Sequence, residues 1–317
     1  MSTTSSFEHD YRLASEAVGF LDRSQRGKLA LTGQGAKEFL QGQLTQDILA
    51  LAPGHGAYAA FLTAKGKMLG DVRVLDAGNE VLLDTERVAL QALFNMIHRY
   101  SLGYDVALHK RTLESGLYSL VGPLADELIA AAGTTLATTE HDHAPVSLGG
   151  VSARAIRTDV GVDLLFASEH GEAVREALLA AGAATIDEQA AETLRIERGR
   201  PRYGIDLDDS VIPQEAGLNE RAVSFTKGCY VGQETVARLY YKGKPNRQLR
   251  GLRAPEPIAP GAELSLEGRV VGTVSSAAVS PRLGPIGLAL VRREAPVGST
   301  VAAGPGVEAV VSELPFL

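Results

Sequence analysis

Two stretches of this chain run on one plan, and that repetition limits the folds open to it. KLALTGQGAKEFLQGQL, residues 28–44, is an apolar run, a glycine turn, then a helical pattern carrying Ala36, Phe39 and Leu40. LYSLVGPLADELIAAAG, residues 117–133, repeats the plan with Gly122 at the turn and Leu124, Leu128 and Ile129 on the helix. Further along, EVLLDTERVALQALFNMI runs from strand pattern into helix pattern, and VDLLFASEHGEAVREALLAAG answers it. Thr85 and Ser168 stand where a helix N-cap would, but Val88 and Gly171 three residues later complete no capping box. The pattern predicts a duplicated strand–helix–strand–strand–helix unit, an α+β arrangement with helices over mainly antiparallel sheets.

The 317 residues exceed one ordinary domain and lead us to expect two or three structural units. The polar stretch TTLATTEHDHAPVS reads as a connection or sheet edge, and a helix is expected at about 187–198. The long segment GRPRYGIDLDDSVIPQEAGLNERAVSFT reads as a functional or disordered loop. After KGKPNR the pattern changes to short Val-rich runs split by Pro and Gly, as in a small barrel or sandwich. We therefore expect residues 1–242 to form the duplicated region and 243–317 a β-domain.

With 45% apolar and 22% charged residues, the chain has the material for a sizeable core. A net charge of -7 argues against a protein that coats nucleic acid or an anionic membrane. No apolar run reaches membrane-spanning length, and MSTTSSFEHDYRLA lacks the basic and apolar regions of a secretion signal; the cytoplasm is the expected location. Cys229 is the only cysteine, so no intrachain disulfide and no Cys-rich metal site can form.

Several motifs carry little. TGQGAKEF has Glu38 where a dinucleotide fingerprint needs a third small residue, and a plain helix start explains it. HDH at 141–143 offers two loop histidines with no ordered third ligand. RLYYKGKPNRQLRGLR interleaves Tyr240 and Tyr241 with basic residues and suits single-stranded RNA, a solvated basic hinge or an anionic ligand tail. The hinge is the favoured reading.

Two acids stand where acids are costly. In DEQAAETLRIERGR, Asp187 can cap a helix, Gly199 can end it, and Glu197 shares a face with Ala190 and Leu194. That carboxylate either pairs with a nearby arginine or accepts paired N–H bonds from a heterocycle. In FLTAKGKMLGDVRVLD, Asp71 interrupts a strand on the side of Leu69, Arg73 and Leu75. It is either half of an Asp71–Arg73 surface pair or a site residue, with Gly66 and Gly70 letting a ligand approach the backbone.

The segment FTKGCYVGQETVAR, residues 225–238, resembles the signature of the YgfZ-type folate-binding proteins, relatives of the T-protein (aminomethyltransferase) of glycine cleavage. Lys227, Gly228, Cys229, Tyr230, Gly232, Gln233, Glu234, Ala237 and Arg238 all fit it. FLQGQLTQDILAL, AYAAFLTAKGKMLGDVRV and ETLRIERGRPRYGIDLDDSVIPQEAGL extend the resemblance over most of the chain. The resemblance implies duplicated α/β-sandwich subdomains in a three-part ring with a small C-terminal β-barrel. It implies tetrahydrofolate, with or without a polyglutamate tail, as cofactor. Asp71 would lie near the reactive folate nitrogen, Glu197 would hold the pterin, and Tyr58 would line the pocket. Tyr203, Lys227, Tyr230, Gln233, Glu234 and Arg238 would complete the binding set, and Cys229 would be a functional thiol beside Lys227. Gly70 before Asp71, and the KGC segment, depart from the aminomethyltransferase pattern. The resemblance therefore implies a monomeric accessory protein for assembly or repair of iron–sulfur clusters, whose partners are iron–sulfur enzymes or cluster-assembly proteins rather than nucleic acid or membrane. The alternative is a folate-dependent one-carbon transferase or demethylase with Asp71 as base.

Overall fold

The computed structural model describes residues 3–316. The chain divides into two units. The first comprises residues 3–61, 69–191 and 226–231; the second comprises 62–68, 192–225 and 232–316.

The first unit opens with α1 (Thr3–Glu16) and β1 (Gly19–Asp22). The first repeat follows: β2 (Gly27–Thr32), α2 (Ala36–Gln43), β3 (Gly56–Leu62), β4 (Met68–Asp76), β5 (Val81–Thr85), α3 (Leu90–Tyr100) and β6 (Ala107–Lys110). The second has β7 (Ser115–Val121), α4 (Ala125–Ala131), β8 (His143–Leu148), β9 (Val151–Arg157), β10 (Gly161–Ala167), α5 (Gly171–Ala180) and β11 (Ala184–Thr185). The duplication is real, and each copy holds more strands than the pattern predicted. One sheet has the order β3-β4-β5-β2-β6, the other β8-β9-β10-β7-β1-β11.

The two copies match down to single hydrogen bonds. In the first, Gly35 N–H donates to Asp105 O (3.0 Å) and Ala36 N–H to Gly33 O (3.2 Å). In the second, Leu124 N–H donates to Ala17 O (3.1 Å) and Ala125 N–H to Gly122 O (3.2 Å). Gly33 and Gly122 both have positive φ, and a Cβ there would lie 2.2 Å from Asp105 O and 2.3 Å from Ala17 O respectively. A strand must turn into a helix against a neighbouring backbone, and only glycine leaves the room. Asp105 lies two residues before β6 and Ala17 two before β1. The N-terminal strand β1 thus does for β7 what β6 does for β2.

One face of each sheet takes its helices. In the second copy Leu120, Val162, Leu164 and Phe166 pack with Leu128, Ile129, Val174 and Leu178 of α4 and α5. In the first, α2 buries Phe39 and Leu40, and α3 buries Leu93 and Ile97. The other two faces are joined by Arg73 of β4, whose Nη1 lies 2.7 Å from Asp163 Oδ2 on β10. The predicted capping is not found. Thr85 is buried and donates its hydroxyl to Asp71 O, α3 starts from Ala89, and Ser168 opens a short 3-10 turn so that α5 starts from His170. The polar stretch before residue 148 ends in the edge strand β8.

The second unit contains the end of α6 (Glu188–Glu197), α7 (Asn219–Ala222), α8 (Gln233–Lys242) and six barrel strands. Gly199 terminates α6 as expected: its φ is positive, and Arg200 N–H reaches back to Arg195 O. The segment read as a loop is ordered by core residues, with Val211, Ile212, Leu218 and Ala222 buried. β12 (Arg247–Arg253), β13 (Glu263–Leu266), β14 (Arg269–Ser280), β15 (Gly284–Arg292), β16 (Thr300–Ala303) and β17 (Glu308–Ser312) close into a barrel of order β12-β15-β14-β13-β16-β17. Alternate residues such as Leu252, Leu264, Val274, Val291, Val301 and Val311 fill it, and closure leaves no unpaired edge. The basic stretch near 238–253 comprises the end of α8, an exposed connection over 243–246 that carries Lys244, and strand β12. Arg247 pairs with Glu215 (3.2 Å) and Arg250 with Glu313 (3.0 Å).

Candidate functional site

In the first unit the site is built around Asp71 on β4. Every residue of that strand except Leu69 is buried, so Asp71 lies inside although its type is unfavourable there. The Tyr58 hydroxyl, on the neighbouring strand β3, donates to Asp71 Oδ2 at 2.6 Å. Asp71 Oδ1 accepts no hydrogen bond among the described residues. The surface pair with Arg73 does not form, because Arg73 is drawn to Asp84 (2.8 Å) and Asp163 (2.7 Å).

Burial pushes the Asp71 carboxyl up to about 6, against the Tyr58 hydrogen bond and the Arg26 charge, which favour the anion. Glu86 and Asp84 push with burial. Arg26 is bound to Asp84 (2.9 Å) and to Glu86, which limits how much of its charge reaches Asp71. The result is a carboxyl poised to take or release a proton near neutrality, with one oxygen held and one open.

The glycines beside it serve packing. A Cβ at Gly70 would lie 2.5 Å from the Phe61 ring and 2.7 Å from Ala89 Cβ. In the second unit, a Cβ at Gly66 would lie 2.9 Å from Thr235 Cβ. Both approaches are by protein, where a ligand had been expected.

The HDH motif fastens a loop. The His141 ring lies 6.2 Å from the Tyr58 ring, Asp142 lies 2.6 Å from His55 Nδ1, and His143 faces Arg154. Among the described residues no group of three or more His, Cys, Asp or Glu is arranged to hold a metal.

Within the signature, Cys229 is exposed. Lys227 is buried, and its ammonium donates to the carbonyls of Gln41 (2.6 Å), Leu44 (2.8 Å) and Gln46 (2.9 Å). Burial brings it down to about 8. The expected help from Lys227 to the Cys229 thiol is displaced by this use: three N–H groups meet three carbonyls and fix the turn after α2. Tyr230 is buried beside it, its ring 5.2 Å from Lys227 Nζ, and burial pushes its hydroxyl up to about 12.

Glu197, Tyr203, Gln233, Glu234 and Arg238 belong to the second unit. Glu197 is fully buried; Ser280 Oγ donates to Oε1 (2.5 Å) and Arg282 Nη2 to Oε2 (2.8 Å). This is the arginine pairing that its place on the helix allowed. Tyr203 is buried, with its hydroxyl 3.5 Å from Met68 O. On α8, Gln233 is half-buried while Glu234 and Arg238 are exposed. Phe225 stacks on Tyr240 at 3.8 Å and Tyr241 meets Tyr240 edge-on at 5.0 Å, so both aromatics in the basic stretch have internal partners.

Sequence reasoning passed over Arg26, Asp84 and Glu86. A partial signal existed: Arg73 and Asp84 each interrupt an apolar strand, and the β4–β5 register then sets them directly opposite each other.

A duplicated α+β region followed by a closed six-stranded barrel is the architecture of the glycine cleavage T-proteins. Residues 2–227 match the GCVT N-terminal domain, and residues 247–317 match the glycine cleavage T-protein C-terminal barrel domain. The chain belongs to this family. It is 29% identical over 309 residues to a chloroplastic protein of Arabidopsis thaliana named as a transferase, covering 95% of this chain and 71% of that protein. It is 30% identical over 327 residues to the aminomethyltransferase of Streptomyces avermitilis, covering 98% and 87%. The crystal structure of the glycine cleavage system aminomethyltransferase T from Bartonella henselae superposes with a TM-score of 0.88 at 24% identity, covering 98% of this chain and 89% of that one; this likeness speaks to the fold.

Proposed function

We propose that this protein is a folate-dependent one-carbon transferase of the aminomethyltransferase type, with Asp71 as its proton-handling group. The buried Asp71–Tyr58 pair carries the reading. Its relatives named aminomethyltransferase support the same class. The donor set fits the cofactor: Asp71 Oδ1 has room to accept an N–H, and a carboxylate is the acceptor an amine of tetrahydrofolate needs. Tetrahydrofolate, when bound, supplies the amine that takes up the one-carbon unit. Asp71 holds or removes a proton at Oδ1, Tyr58 keeps Oδ2 oriented, and the dry surroundings strengthen both interactions. Glu197, buried at the end of α6, is the proposed acceptor for pterin N–H groups. In this reading residues 1–242 carry the folate chemistry and 243–317 form the barrel domain.

The exposed Cys229 in KGCYVGQE favours a second reading, the YgfZ-type one, in which this thiol serves iron–sulfur enzymes.

The test is anaerobic titration with tetrahydrofolate, followed by turnover of methylamine and aminomethyl donors by wild type, Asp71→Asn and Cys229→Ala. Turnover that Asp71→Asn abolishes and Cys229→Ala spares supports the transferase. Folate binding without turnover, with iron–sulfur enzyme activity lost in cells carrying Cys229→Ala, supports the second reading. Absence of folate binding sinks both.

A further inference from the structure

Between the faces of the two sheets that carry no helices lies a partly open cavity of about 370 Å³ in the first unit, lined by residues of β2, β4, β5, β7, β8, β9 and β10. Asp71 and Tyr58 are not among its lining residues. Its walls are largely apolar. Leu75 and Leu82 are cross-strand partners on one sheet, and Leu117, Leu165 and Arg154 lie side by side on the other.

The other basic groups around it are held by carbonyls or carboxylates. Lys28 Nζ donates to Ser24 O (2.7 Å) and Arg26 O (2.9 Å). Arg73 is held by Asp84 and Asp163, and Arg111 by Glu114 (2.8 Å) and Glu80 (3.4 Å). Arg154 has no carboxylate within 4.0 Å among the described residues. Its one partner is His143 Nδ1, 2.9 Å from Nη1. Burial and the Arg154 charge together bring His143 down to about 4, so at neutral pH the ring is uncharged and can only accept there. A half-buried guanidinium facing an apolar cavity with a neutral partner leaves its charge and most of its donors unanswered. The buried Nε of Arg73, another lining residue, also has no hydrogen-bond partner.

We propose that this cavity is a second ligand site, for a small monocarboxylic acid with an aliphatic or aromatic body, whose carboxylate Arg154 receives. A planar guanidinium suits a carboxylate bidentately, a carboxylate would give Arg154 the ion pair it lacks, and the leucines cover the body. The volume lies at the small end of ligand pockets.

Calorimetric titration of the full chain with hexanoate and benzoate, and with hexanol and hexylamine as controls, tests this. The acids are expected to bind saturably at one per chain, with the alcohol and amine at least about tenfold weaker. Arg154→Gln should weaken acid binding about tenfold or more while moving the ligand-free Tm by no more than about 2 °C, because it breaks no ion pair. Leu82→Phe, which fills the cavity and keeps Arg154, should also reduce binding. Tetrahydrofolate should leave hexanoate affinity unchanged. The proposal is overturned if the acids do not bind, if hexanol binds as tightly, if Arg154→Gln binds equally well, or if tetrahydrofolate displaces the acid, which would assign the carboxylate to the folate tail.

Discussion

Asp71, Lys227 and Glu197 are polar residues buried for different reasons. For Asp71, burial costs the charged form, so the folded chain holds that proton to higher pH than the unfolded chain does. The contribution of this group to stability therefore falls as pH rises from about 4, the unfolded value, to about 6, and stays low above that. Asp71→Asn should accordingly raise stability at pH 8 by an amount on the order of 1–3 kcal/mol and much less at pH 4, as read by denaturant titration at both pH values. If Asp71 is the base, the wild-type turnover should rise through about pH 6. Lys227 shows the reverse design, a cation held by three carbonyls. Lys227→Met should cost about 2–4 kcal/mol by leaving them without donors, whereas Cys229→Ser, at an exposed position, should leave Tm unchanged. Equal effects from the two substitutions would contradict this division of labour. That Asp71 and Glu197 were unusual was legible in the sequence, because an acid on an apolar stripe or inside a strand stands out. Which partner each took was not, because Tyr58, Ser280 and Arg282 reach them only through sheet pairing and barrel closure.

At the level of the element, the strand-to-helix turns carry the duplication. Gly33 and Gly122 make the same turn against the same kind of neighbour, a carbonyl just before an adjoining strand. Alanine at either site should destabilise by at least ~1–3 kcal/mol from the backbone conformation alone, and the carbonyl contact adds to it. Thermal unfolding of the two single variants is expected to show losses of similar size; a loss at only one would mean that the copies are not equivalent. The helices and turn glycines were readable from local periodicity. The third central strand and the role of β1 were not, because β1 contributes by pairing with β7, about a hundred residues away. Sequence read locally carries no record of such a pairing.

Across the whole first unit, Arg73 ties one sheet to the other. It is buried with Asp84 on its own sheet and Asp163 on the next, and Ser119 donates to Asp163 at 2.6 Å. Arg73→Met should cost about 3–5 kcal/mol, since it leaves buried Asp163 with only the Ser119 hydroxyl and Asp84 with Arg26 alone. A double change that also replaces Asp163 by leucine, keeping Asp84 for Arg26, should recover part of the loss; failure to recover would mean that the network does more than neutralise itself. Arg154, with no such partner, should show no comparable loss.

The sequence by itself determined that the chain is a duplicated α+β protein with a small C-terminal β-domain, because helix and strand periods and turn glycines are local properties of the chain. It also marked Asp71, Glu197 and Cys229 as residues needing an explanation. Only the tertiary structure decided that Asp71 is paired with Tyr58, that Lys227 braces a turn, that Glu197 is met by Arg282, and that Arg154 lines a cavity with His143 rather than a carboxylate as its partner. Those outcomes depend on which strands become neighbours and which charges share a low-dielectric interior, and a buried charge takes its partner from whatever the fold brings within about 4 Å.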